Sequence, residues 1–176
     1  MTSFPSPGLA TLALLLLSGA PQAPESVEPG VIPDYSRPRP GLACAGQPSA
    51  EGIQRLSELG FRTVINLRTE AEPGVPEAAA AVQAQQLRYV SVPVRPDSFS
   101  SDDVDAVAAV LEDPDAGPVL LHCGSSNRVG GVIAVLAWRD GRTPEQALEE
   151  GRAAGLRSDS MVAAVERVIA EESTRR

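Results

Sequence analysis

The sequence predicts an α/β domain in which a small parallel sheet is flanked by helices. Three observations carry this. Short apolar runs rich in β-branched residues recur along the chain. A segment with helical periodicity separates each from the next. One such run, Val119–Leu121, feeds directly into a His-Cys pair and a loop of small residues. Parallel sheets bind ligands at the carboxyl ends of their strands, so that loop is where chemistry is expected.

The elements follow in order. Leu42–Ala45 reads as a short first strand, and Ser49 caps a helix that runs to Leu59 and stops at Gly60. Thr63–Leu67 is a buried strand, and Pro76 opens an alanine-rich helix through Gln86. Tyr89–Val94 reads as a strand with Pro93 near its end. Ser101 caps a helix whose apolar stripe is Val104, Val107, Ala108 and Leu111. After the cysteine loop, a helix to Trp138 is apolar nearly all round and should be buried. Thr143-Pro144-Glu145-Gln146 is a capping box, and the last helix packs through Met161, Val165, Val168 and Ile169.

Ahead of this domain, placed at residues 41–173, the chain changes character. Leu9–Leu17 is an apolar run followed by Ser18-Gly19-Ala20, the order of a secretory signal with a small-residue cleavage site. Residues 1–20 are therefore expected to direct export to the periplasm or the cell exterior. No Lys or Arg precedes the run, so a leader without that role is the competing reading. The run is too short for the roughly 20 residues that span a bilayer, so stable membrane insertion is not expected. Six prolines between Pro21 and Pro40 predict an extended linker over residues 21–40.

The net charge of -8 over 176 residues, with no basic stripe to offset it, argues against a nucleic-acid partner. Two cysteines are too few for a disulfide framework, and a single histidine argues against a zinc site. No metal or organic cofactor is implied. His122 also cannot serve as base to its neighbour, because adjacent strand residues point to opposite faces. It is expected to hydrogen-bond loop backbone instead. Cys44 is read as a packing residue.

The loop Cys123-Gly124-Ser125-Ser126-Asn127-Arg128 has the composition of an oxyanion cradle around a nucleophile. Backbone N–H groups of Gly124, Ser125, Ser126 and Asn127, at a helix N-terminus, would point at a bound anion. The same field favours the thiolate form of Cys123, the nucleophilic one. Arg128 supplies a planar fork that matches two phosphoryl oxygens. Four residues separate Cys123 from Arg128, one fewer than in the usual cysteine-phosphatase loop. This length resembles the rhodanese sulfurtransferase loop, so a persulfide on Cys123 is an alternative chemistry.

Two segments together resemble a known family. One runs from Gly46-Gln47-Pro48-Ser49 to Asn66-Leu67-Arg68; the other is His122-Cys123 through Asn127-Arg128-Val129-Gly130. They are similar to bacterial dual-specificity-phosphatase-like proteins, including the phosphatase-like domain of beta-lactamase-hydrolase-like proteins. The resemblance covers about Tyr35 to Glu172. It implies a cysteine-phosphatase-like architecture and hydrolysis of a phosphate monoester through a phosphocysteine, with a phosphorylated protein or small molecule as substrate. In such families the proton donor lies on the loop after the preceding strand, which here places it at Asp97. Asp102 and Asp103 are rivals, though a helix start explains both. Arg68 ends a strand at the same edge and is expected to face the anion, with a salt bridge as the alternative; Gln47 is a weaker candidate. The chain departs from the pattern at Gly124-Ser125-Ser126 and at Val129, where many phosphatases place Ser or Thr. That departure opens a third reading, a phosphate-binding module with little turnover.

Overall fold

The structure is a computed structural model, and it describes residues 22–175. The export signal expected at residues 1–20 lies outside them. Five strands form one sheet in the order β1-β2-β5-β3-β4: β1 is Ser36–Arg39, β2 Leu42–Ala45, β3 Thr63–Asn66, β4 Arg88–Ser91 and β5 Val119–His122. Six helices surround it: α1 Ala50–Gln54, α2 Val75–Ala84, α3 Ser101–Leu111, α4 Asn127–Arg139, α5 Pro144–Ala153 and α6 Asp159–Arg175. Strands β2, β5, β3 and β4 are parallel, as expected.

The sheet is nevertheless mixed, because β1 runs antiparallel to β2. Only Pro40 and Gly41 lie between the paired Arg39 and Leu42, and so tight a turn can only reverse the chain. Gly41 adopts φ +78°, a conformation that costs glycine nothing. The linker expected over residues 21–40 is therefore corrected for the described part. Ala23, Val31 and Ile32 are buried in the core with Ala43, Ala45, Phe61 and Val64. The Tyr35 hydroxyl donates to the Pro24 carbonyl, and Arg37 donates to the Ala23 carbonyl at 2.9 Å. The prolines restrict this segment, but its apolar residues still find a surface to cover, so the domain begins before residue 41.

Strand alternation divides the sheet into two apolar faces. Leu42, Cys44, Ile65, Leu67, Leu121 and Cys123 pack toward α3, α4, α5 and α6. Ala43, Ala45, Val64 and Leu120 pack beneath the N-terminal segment and Leu56. Helix α4 is buried from Val129 to Trp138, as its all-round apolarity predicts. It meets α5 at Gly130 and Gly151, where a Cβ on Gly130 would lie 2.5 Å from the Gly151 carbonyl oxygen. Thr143 and Gln146 form the expected capping box. Two helices differ from expectation. α1 stops at Gln54, and the chain reaches Gly60 through turns. The cap of α3 is Ser100, whose N–H donates to Asp103 at 2.9 Å.

Candidate active site

Parallel register brings the carboxyl ends of β2, β5, β3 and β4 to one level, at Ala45, His122, Asn66 and Ser91. The residue after β5 is Cys123, 1% exposed. The loop that follows is tied to the β2 side, because Gln47 N–H donates to the Gly124 carbonyl at 3.2 Å and Gly46 bridges Ser125. Ser126 then takes φ +60°, ψ -5°, uncommon for a side-chain-bearing residue. Its Oγ donates to the Ala154 carbonyl at 2.8 Å, and Gly155 (φ +106°) is packed so closely that a Cβ there would lie 2.5 Å from Ser126 Cβ. That packing holds the left-handed turn. A residue in this conformation just before the first turn of α4, whose N–H groups have no intrahelical acceptor, forms an anion-binding concavity.

Arg128 projects from the first turn of α4 into this concavity. Its Nη1 donates to Glu72 Oε1 at 2.6 Å and its Nη2 to Glu72 Oε2 at 2.9 Å, a bidentate pair. Nη1 also reaches the carbonyls of Leu67 (3.3 Å) and Val94 (3.4 Å). Glu72 is braced in turn by the Thr69 N–H at 2.9 Å and by Arg68 Nε at 3.1 Å. The Arg128 hydrogen bonds hold the Glu72 carboxyl down at about 2; partial burial opposes them, and Thr69 and Arg68 add to the effect. Arg128 is raised by the same contact first, against partial burial, with a further contribution from the nearby Cys123. Glu72 thus sets where the fork sits. Sequence reasoning missed it, because nothing local in Thr69-Glu70-Ala71-Glu72 separates a solvated carboxylate from one that meets an arginine 56 positions later.

The expected site residues are brought together selectively. Arg128, Ser125, Asn127 and Asp97 all line one cleft of about 680 Å³, with Thr69, Glu72, Val94, Arg95, Pro96 and Ser160. Cys123, Gly124 and Ser126 are not among them, and neither is Arg68. Its three donors go to Glu72, to Gln47 Oε1 at 2.7 Å and to the Pro73 carbonyl at 2.8 Å. The expectation that it faces the anion is corrected: burial at 9% exposure forces its guanidinium to find partners, and it braces Glu72. Gln47 is its acceptor. The side chain of Ser126 faces Ala154, so only its backbone could serve an anion. The Asn127 side chain accepts from the N–H groups of Arg157 (2.7 Å) and Ser158 (3.0 Å), locking the α5–α6 connection beside the loop.

Asp97 sits at the cleft mouth, exposed, with Arg95 donating to both its oxygens at 3.1 and 3.0 Å. That pairing lowers the Asp97 carboxyl below its ordinary value. Asp103 is occupied as a cap, which leaves Asp97 as the carboxyl of the three that lines the cleft. His122 is buried, with Nδ1 unpartnered among the described residues. Burial pushes it down to about 4, the charges of Arg68 and Arg128 add to this, and a hydrogen bond with Cys123 backbone opposes it. Val129 is fully buried, so no hydroxyl follows the arginine toward the sulfur. Cys44 and Cys123 are both free thiols on the same face of the sheet. Burial pushes Cys44 up to about 12, an inert thiol.

A family model for the beta-lactamase hydrolase-like protein, phosphatase-like domain, matches residues 34–139. The chain belongs to this family. The beta-lactamase hydrolase-like protein of Xylella fastidiosa (strain Temecula1) is 32% identical over 112 residues, which cover 61% of this chain and 26% of that protein. The protein of the same name from Agrobacterium fabrum (strain C58) is 28% identical over 113 residues, or 62% and 26% of the two. The chain thus spans about a quarter of the length of these relatives. Among solved structures, P. aeruginosa TpbA superposes with a TM-score of 0.64 at 24% identity, covering 88% of this chain and 91% of that one. The catalytic core of the S. cerevisiae PP-IP phosphatase SIW14 does so at 0.65 and 18% identity, covering 81% and 89%. The likeness confirms the architecture that the resemblance implied.

Proposed function

We propose that this domain is a cysteine-dependent phosphomonoester hydrolase. The observation that carries the reading is that Arg128, held by Glu72, and Asp97 line the same cleft beside the loop that begins at Cys123. The Cys123 thiolate attacks phosphorus, forming an S–P bond as the P–O bond to the leaving group breaks. Loop amides and the Arg128 N–H groups that Glu72 leaves free, at Nε and the second hydrogen of Nη2, stabilise the charge on the equatorial oxygens. Asp97 gives its proton to the departing oxygen. Water then cleaves the phosphocysteine, returning a proton to Asp97 and releasing phosphate and the thiolate. The family membership supports this, as does the fold shared with TpbA, which has been crystallised with phosphotyrosine.

A second reading rests on one specific observation. Four residues, not five, separate Cys123 from Arg128, and a smaller ring of amides suits a single sulfur better than a phosphoryl group. In that chemistry the Cys123 thiolate attacks the outer sulfur of a donor such as thiosulfate, forming a persulfide as sulfite leaves; cyanide or an acceptor thiolate then takes the outer sulfur with the Cys123 thiolate as leaving group, without need of Asp97. One set of experiments separates the two. Hydrolysis of para-nitrophenyl phosphate should vanish in Cys123→Ser, and vanadate should protect Cys123 from alkylation. Asp97→Asn should slow an alkyl phosphate far more than an aryl phosphate, whose leaving group barely needs the proton. Retained hydrolysis in Cys123→Ser removes the assignment. A gain of one sulfur on Cys123 after thiosulfate, with no oxyanion protection, replaces it by the second reading. Export belongs to this proposal too, and is checked by mass spectrometry of the native N-terminus near Pro21 or Pro24.

A further inference from the structure

The walls of the cleft indicate what kind of phosphate it takes. Tyr35, Phe61, Tyr89, Phe99 and Trp138, the aromatics among the described residues, are absent from its lining. Phe99 and Trp138 pack in the core on one face of the sheet, and Phe61, Tyr35 and Tyr89 pack on the other. Val94 and Pro96 are the cleft's apolar lining residues, Val94 fully buried and Pro96 half-buried. An aryl phosphate would find no ring in this lining against which its own could stack. The lining also carries Thr69, Ser125 and Ser160; the Thr69 hydroxyl donates to Glu72 at 3.4 Å and that of Ser160 meets Ser158 at 3.3 Å, and each keeps hydrogen-bonding capacity for a polar substrate.

The mouth adds a cation. Arg95 is 64% exposed along its side chain, and its partner is Asp97, two residues on in the same loop. Such an exposed pair is weak, and an incoming dianion competes well for the guanidinium. Protonation of Asp97, which its role as acid requires, frees the same fork. The cleft volume of about 680 Å³ leaves ample room between Arg128 and this second cation.

We propose that the cleft takes a small, hydroxyl-rich phosphomonoester bearing a second phosphate, with one phosphate at Arg128 and the other at Arg95. This rests on the reading of the Arg128 loop as a phosphoryl site. The probes are fructose 1,6-bisphosphate, fructose 6-phosphate and phosphotyrosine, titrated calorimetrically at fixed salt into the full chain carrying Cys123→Ser. The bisphosphate should bind about tenfold more tightly than either monophosphate, and Arg95→Gln on that background should reduce the advantage to about twofold or less. The concentration of each probe that half-protects Cys123 of the unsubstituted chain from iodoacetamide should give the same order, without reliance on the serine variant. Phosphotyrosine binding as tightly as the bisphosphate overturns the substrate class. A bisphosphate advantage that survives Arg95→Gln overturns the assignment of the second site. Absent release of phosphate from fructose 1,6-bisphosphate by the unsubstituted chain, alongside an intact bisphosphate advantage, would sink the hydrolase reading and leave this one standing.

Discussion

Because His122 is the single histidine of the chain, its burial has a measurable signature in stability against pH. Its ordinary value is 6.5, and burial first, then the nearby charges of Arg68 and Arg128, bring it to about 4 in the folded protein. Between those values the unfolded chain binds the proton and the folded chain does not. Stability therefore rises with pH across this window and is lost as pH falls through it. Integrating the linkage from pH 8 to pH 5 gives a loss of about 2 kcal/mol from this group alone. The choice of pH 5 keeps most carboxylates ionised, so the imidazole dominates the slope. Urea unfolding at half-unit intervals from pH 8 to 5 measures it for the native sequence and for His122→Gln. The variant is expected to be less stable at pH 8 but flatter, the two curves converging by about 2 kcal/mol at pH 5. Parallel curves would falsify the burial of a neutral imidazole behind Cys123.

Three further outcomes follow from the same geometry. Glu72→Gln removes the charge that orients Arg128 and should lower kcat/KM for an aryl phosphate about 100-fold, with a loss of about 1–3 kcal/mol in stability; steady-state kinetics and urea unfolding check both. Rising activity toward acid pH is expected in the native sequence, because Arg95 favours the ionised form of Asp97. Arg95→Gln should move the basic limb of the pH–rate profile upward. Gly130→Ala would drive a Cβ against the backbone of Leu156 and Gly151, atoms that cannot swing aside, and should cost about 1–3 kcal/mol or more in thermal or urea unfolding.

Much of the site was legible because its signals are local. Cys123 and Arg128 share one loop, and an apolar run before it with an apolar helix after it can only be a buried strand and helix. Asp97 was expected through resemblance, and the structure places it in the lining of the Arg128 cleft. For Arg68 the sequence leaves open an anion contact or a salt bridge, and the salt bridge is what forms. Its position at a strand end does not say which neighbours its guanidinium meets. Three partners from separate segments decide that, at Gln47, Glu72 and Pro73. The linker reading of residues 21–40 counted prolines and overlooked Val31 and Ile32, whose burial fixes the segment over the second face of the sheet.

The sequence by itself determined the order of strands and helices from β2 onward, the parallel core of the sheet and the place of Cys123 at its carboxyl edge. Hydrophobic period, caps and turn residues act within a few positions, and so can be read along the chain. Tertiary structure alone decided that Glu72 aims Arg128, that Gly155 lets Ser126 hold its left-handed turn, and that the cleft is walled without rings. Each of these depends on atoms far apart in the chain meeting within a few ångströms. A residue's own neighbours carry no record of such a meeting.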